Sequence, residues 1–225
     1  MPTLAVNRKG YIVGTTAANQ VAARDITTGT AVDSPSGNVS SAIAWLRSTG
    51  RGGTTMRYTR TFLHFDTSGI TDTLSSCDLN ITGNTKTAAD VIGIKSTAFG
   101  GDGGTALASG DMDAVDYGTA YSSENASWST SGNTLTLTAA ALADIKNNDD
   151  FTIALVEHDS DYLDTDTANG QFVSGVAFGS TIELDYTVAA ASTDVTSVNT
   201  IAKANITSYN SIAANGIDKL NTLTF

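Results

Sequence analysis

The chain has 225 residues, a formal net charge of −11, one cysteine and two prolines. Its acidity argues against gripping DNA or an anionic membrane, which rely on clustered Lys and Arg, and a lone cysteine excludes an internal disulfide. The abundance of Gly, Thr, Ser, Asn and Asp predicts a turn-rich all-β protein, long enough for one sandwich plus an appendage.

From the N-terminus, MPTLAVNRKGYIV lacks the continuous apolar stretch of a secretory signal, and nowhere do ~18 apolar residues follow one another. Neither classical export nor membrane insertion is expected. Tyr11 to Val13 predicts an edge strand, and residues 15–41 predict short strands linked by turns or one long surface loop. Ala42 to Arg47 alternates as a strand, with Trp45 expected in the core among apolar neighbours. Ser48 to Thr55 is rich in glycine but lacks the Lys-Ser/Thr ending of a phosphate loop, and no helix pattern follows, so no nucleotide or other cofactor is expected.

The stretch Arg57 to Ile81 organises the rest. Thr61, Leu63 and Phe65 alternate against Arg60, Phe62, His64 and Asp66; after a turn at Asp66 to Gly69, Cys77, Leu79 and Ile81 alternate against Ser76, Asp78 and Asn80. This period of two predicts two half-buried strands. Cys77, on the apolar face of the second, is expected to be a small buried hydrophobe rather than a reactive thiol. The pattern of Arg60, Leu63, Phe65, Asp66, Ser68 and Ser76-Cys77 before Leu79 resembles the N-terminal signature of DNRLRE-type β-sandwich domains, with Cys77 where the family usually has Ala. That resemblance implies a jelly-roll-like fold and a structural role. Such domains serve as attachment or packing modules in bacterial surface proteins and tailed phages.

Further on, Val91 to Lys95 predicts a strand, Gly100 to Tyr121 a long glycine-rich acidic loop, and Asn133 to Thr138 another strand. Ala139 to Asn147 predicts the sandwich's one short helix, capped by Thr138, with Ala139, Leu142 and Ile145 at helical spacing. Phe151 to Val156 is almost wholly apolar and predicts a central strand. Gln171 to Phe178 and Thr181 to Val188 predict a closing pair, the second with Ile182, Leu184, Tyr186 and Val188 facing inward. Two packed antiparallel sheets follow; together with the jelly roll that the resemblance implies, the expected fold is an antiparallel jelly-roll-like β-sandwich over residues 1–188.

After Val188 the composition changes to an Ala/Ser/Thr linker, residues 189–196, and then to a repeat over residues 197–225. Val198, Tyr209 and Leu220 recur every 11 residues, as do Asn199, Asn210 and Asn221, and Ile201, Ile212 and Leu223; Ile206 and Ile217 keep the same spacing. An 11-residue apolar period is that of a right-handed supercoiled helix. Asn, Thr, Ser and Gly are poor helix formers, which favours instead a small stack of extended units separated by turns. Either form leaves apolar columns that so short a segment cannot bury alone. The segment resembles the repeated Val/Ile-Asn-Gly/Thr-Ile tails of marine-phage structural proteins.

Chemistry-bearing residues are sparse. His64 and His158 have no ligand spacing around them, and no G-x-S-x-G elbow is present. Four carboxylates, Asp159, Asp161, Asp164 and Asp166, crowd the segment Glu157 to Gly170. Calcium is weighed for it, but the spacing departs from an EF-hand, and a solvated acidic loop is the expectation.

The functional expectation is a non-enzymatic virion structural protein with no catalytic, cofactor or metal site. It would be made in the host cytoplasm and placed on the particle exterior as a capsid decoration protein or head fibre. Its partners would be other virion proteins of capsid or tail and further copies of itself, a trimer being one form, with no nucleic acid and no membrane. Assembly contacts are assigned to Val198, Asn199, Ile201, Ile206, Tyr209, Asn210, Ile212, Ile217, Leu220, Asn221 and Leu223. The alternative is a tail-fibre or surface adhesin that binds host glycans, with Tyr117, Tyr121, Trp128 and Tyr162 as exposed stacking platforms.

Overall fold

A computed structural model describes residues 2–33, 39–51, 53–86, 90–166 and 172–190, and six short paired segments beyond them. The elements are β1 (Thr3–Ala5), β2 (Arg8–Gly14), α1 (Gln20–Arg24), β3 (Gly29–Asp33), β4 (Val39–Gly50), β5 (Gly53–Asp66), β6 (Leu74–Lys86), β7 (Val91–Ser96), β8 (Val115–Ala120), β9 (Gly132–Thr136), α2 (Ala139–Asn147), β10 (Asp150–Glu157) and β11 (Phe172–Val188). They form an antiparallel β-sandwich of a four-stranded and a seven-stranded sheet, with few short helices. β1, β11, β6 and β9 pair in one layer, and β2, β3, β4, β5, β10, β7 and β8 in the other. The N-terminal half of β11 also pairs with β4, which joins the two layers. Compact unit one spans Met1–Ala189 and unit two Ala190–Phe225.

β5 and β6, neighbours in sequence, do not pair. Leu63 and Phe65 of β5 meet Cys77, Leu79 and Ile81 of β6 in the main core, together with Ile153 and Leu155 of β10 and Ile182 and Leu184 of β11. The expectation of half-buried strands fails for β5, because its opposite face is covered as well. Phe62 of β5, with Ala154 and Val156 of β10, packs in a second core against Ile12 of β2, Ala23 of α1 and Met112. This double cover explains why β10 is apolar on both faces from Ile153 to Val156: each fully buried large side chain contributes about 1.5–3 kcal/mol, and both faces of the strand collect it.

Several connections differ from their sequence-based expectation. Residues 15–41 contain α1, capped by the Asn19 side chain accepting from the Ala22 N–H at 2.9 Å. The segment 100–121 is not one loop: it holds a 3₁₀ turn, Ser109–Asp113, whose Met112 is fully buried, and then β8. The expected closing pair is a single 17-residue strand, β11, whose register shifts around Val176 to Ile182 let it bend between β4 and β6. Val188, expected inside, is 40% exposed at its end. Helix α2 spans Ala139–Asn147, with the Thr138 hydroxyl accepting from the Ala141 N–H and donating to the Ala120 carbonyl. Trp45 lies outside the described side chains. No helix among the described residues is long and apolar enough to cross a membrane.

Candidate functional site

The C-terminal unit begins with the repeat, and its described residues are strands. β12 (Ser197–Val198) pairs antiparallel with β13 (Ile201–Ala202), β14 (Ser208–Tyr209) with β15 (Ile212–Ala213), and β16 (Lys219–Leu220) with β17 (Leu223–Thr224). Each copy of the period is one minimal hairpin, closed by Val198↔Ile201, Tyr209↔Ile212 and Leu220↔Leu223. Two consequences follow for the sequence-based reading. No supercoiled helix forms over these residues, and the unit Val-Asn-Thr-Ile is not one extended piece, since its first and last residues face each other across a reversal of the chain. Asn199, Ile206, Asn210, Ile217 and Asn221 lie outside the described residues. In sequence, each Asn is the first of two residues between paired arms.

Two-residue arms make very few ladder hydrogen bonds, each contributing a net ~0.5–1.5 kcal/mol. An isolated hairpin is marginal even when longer. Among the described residues, each arm pairs along one edge only, and a free strand edge is the feature by which strands add to another sheet. Charge separates this unit from the sandwich. Asp194 and Asp218 balance Lys203 and Lys219, so the whole net charge of −11 is carried by the residues before Ala190. A neutral repeat meets further copies without the repulsion that the acidic sandwich would impose.

Within the sandwich, the acidic segment after β10 does something the sequence did not disclose. It opens with a π-helical turn, His158–Tyr162, whose Asp161 is fully buried and forms a two-point ion pair with fully buried Arg60 of β5. Arg60 Nε donates to Asp161 Oδ2 at 2.8 Å and Nη2 to Oδ1 at 2.7 Å. Two of the three remaining guanidinium hydrogens reach the Met112 carbonyl at 2.7 Å and the Arg24 carbonyl at 2.8 Å. The Tyr117 hydroxyl donates to Asp161 Oδ1 at 2.7 Å. Burial opposes charge on Arg60, but the Asp161 carboxylate overrides it and the guanidinium pKa is raised. Burial, reinforced by Asp161, pushes the Tyr117 phenol up as well, so it stays a donor at neutral pH.

This geometry revises the expected sites one by one. Asp161 is committed to Arg60, and Asp164 makes an ion pair with Arg24 at 3.8 Å, so the acidic residues of the segment do not converge as one set. Carboxylate oxygens of Asp90, Glu157 and Asp159 do lie within 4.8 Å of one another, an arrangement that surface acids also adopt without a cation. The aromatic platforms of the adhesin reading are not exposed. Tyr121 and Trp128 are 2% and 1% exposed in the main core, Tyr117 lies half-buried beneath the Arg24 guanidinium at 4.0 Å, and half-buried Tyr162 stacks on His158. Burial pushes the Cys77 thiol up to about 12, which keeps it protonated and unreactive at neutral pH. Compared with family models and with curated proteins, the chain matches none.

Glu157 gives the first testable consequence. Its Oε2 accepts from the Ser160 N–H at 2.6 Å, the Ser160 hydroxyl at 2.5 Å and the Asp161 N–H at 3.3 Å, ordering the turn that holds Asp161. Burial, with the Asp159 charge adding to it, nevertheless raises its pKa above the ordinary value near 4.5. Between that value and the raised one, the folded protein holds a proton that the unfolded chain has released. Stability therefore falls as pH rises through this window. Glu157→Gln keeps an acceptor and removes the titration. Its melting temperature relative to the parent should climb as pH rises above the ordinary carboxylate value and through the raised one, with any packing cost constant throughout. A difference that is flat with pH would contradict the assignment.

Proposed function

We propose that this protein is a non-enzymatic structural component of a tailed-phage particle. In this reading it is a capsid decoration protein whose acidic sandwich faces outward and whose C-terminal repeats attach it. The observation that carries the reading is the threefold recurrence, at an 11-residue spacing, of one minimal hairpin beyond a sandwich that already has its own core. Such hairpins are too short to stand alone and gain stability by pairing edges and apolar residues with another chain. Val198, Ile201, Tyr209, Ile212, Leu220 and Leu223, the closing pairs, are the residues this role asks for. The resemblance of the Arg60 to Leu79 pattern to DNRLRE-type domains points the same way, toward packing and attachment.

Attachment at symmetry-related positions puts many copies on each particle. Purified virions imaged by cryo-electron microscopy and quantified by mass spectrometry should show the chain on the capsid exterior, in register with the capsid lattice. Absence from particles would remove the proposal. Confinement to a tail tip would favour the adhesin instead.

A further inference from the structure

At one corner of the sandwich a cavity of about 500 Å³ opens between β7, β10, the C-terminal end of α2 and the loop around Gly101. That volume lies within the roughly 300–1,000 Å³ typical of small-molecule sites. Its wall is polar: Lys95, Asp144, Asn147, Asn148, Asp149, Asp150 and Thr152 all contribute. Lys95 Nζ donates to Asp144 Oδ2 at 2.7 Å, and the Tyr121 hydroxyl donates to the same oxygen. Asp150 Oδ1 sits 3.1 Å from His64 Nε2.

One residue of the cavity lining has hydrogen-bonding capacity that no described residue uses. Thr152 is 5% exposed, and its Oγ1 has no hydrogen-bond partner among the described residues. His64, opposite Thr152 in the β5–β10 register, is 1% exposed, and its Nδ1 is likewise without a partner. Buried polar atoms are nearly always satisfied, so the unpartnered hydroxyl of Thr152, a lining residue, needs an account, while His64 lies behind the lining. A turn of Thr152 about χ1 exchanges its hydroxyl and methyl between staggered positions and lets a ligand group draw on the hydroxyl.

Charge narrows what fits. Three carboxylates against one ammonium repel an anionic ligand, while Lys95 already sits against Asp144, where an incoming amine would be placed. Neutral hydroxyl groups serve both kinds of partner at once, accepting from Lys95 and the Asn amides and donating to Asp149 and Asp150. We propose that this cavity binds a neutral saccharide, held by hydrogen bonds rather than by aromatic stacking, with Asn147, Asp149 and Thr152 as contact residues. The inference is independent of the assembly role of the repeats, since every residue it uses belongs to the sandwich.

The test is saturation-transfer difference NMR on the full chain with methyl glucoside, methyl galactoside, methyl mannoside, N-acetylglucosamine and maltose, alongside glucuronate and spermidine as charged counterparts. At least one neutral sugar should bind with a Kd of ~10 mM or tighter, a range set by a handful of exposed hydrogen bonds. The charged probes should not bind. Thr152→Val removes the unpaired hydroxyl at nearly constant shape and should weaken binding at least tenfold with the melting temperature held or raised. Asn147→Ala, at an exposed position, should weaken binding without affecting folding and stands in should Thr152→Val misfold. No transfer to any neutral sugar at that concentration, binding of a charged probe instead, or binding untouched by these substitutions would overturn the proposal.

Discussion

Replacing Asp161 with Ala is expected to destabilise the sandwich by about 3–5 kcal/mol, the range seen when one member of a buried ion pair is removed. A domain of this kind has about 5–15 kcal/mol of stability in total, so the loss is a large fraction of it. The reason lies in what remains. The Arg60 guanidinium stays fully buried on β5, bound to two carbonyls and to no counter-charge, and the Tyr117 hydroxyl loses its acceptor. Those groups tie together β5, the C-terminal end of α1, the 3₁₀ turn and β8, so the damage spreads beyond the pair over this outer face of the seven-stranded sheet. Urea unfolding should show a lower midpoint, and proteolysis should cut first around residues 109–117. The double replacement Arg60→Met with Asp161→Leu removes both charges and should recover part of the loss, because well-packed apolar residues replace such pairs at little cost. A midpoint unchanged in the single variant would mean that the pair is not holding this face together.

Deletion of Ala190–Phe225 should have the opposite profile, with stability unchanged and assembly abolished. Unit one, Met1–Ala189, contains both hydrophobic cores and every described strand of the sandwich, so its melting temperature should stay within a few degrees of the full chain's. Incorporation into particles should fall to background. In the full chain, Ile201→Asn, Ile212→Asn and Leu223→Asn together replace one apolar member of each closing pair and should reproduce that loss. Light scattering and a particle co-sedimentation assay read both outcomes. Retained incorporation by either variant would remove the repeats from the attachment role, and a truncated chain that fails to fold would show that the sandwich depends on them.

Alternation in sequence identifies the two faces of a strand, but not what lies against each. Arg60, Phe62 and His64 were legible as one face of β5. Their burial was not, because α1, the 3₁₀ turn and the π-helical turn that meet this face come from segments whose own patterns are weak. The span and cap of helix α2 were legible, since both lie within one short stretch, whereas its buried face was only partly so: Ile145 is buried as expected, but Ala141 is buried and Ala139 exposed. The residues flanking the register shifts of β11 gave the appearance of two strands for a similar reason: a bulge interrupts the period of two without ending the pairing. Of the repeat, the period and its closing residues were legible, whereas the hairpin was not, because an 11-residue spacing is compatible with a helix, a stack or a series of turns.

What the chain determines by itself is therefore what depends on near neighbours: its β class, the capped helix α2, and the spacing that makes Val198, Tyr209 and Leu220 equivalent. What only the folded structure decided is how distant segments meet. Arg60 and Asp161 are 101 residues apart and carry no local sign of each other. Yet in a low-dielectric interior each requires the other, and that mutual requirement, which no window of sequence contains, draws the acidic segment inward and closes the outer face of the sandwich.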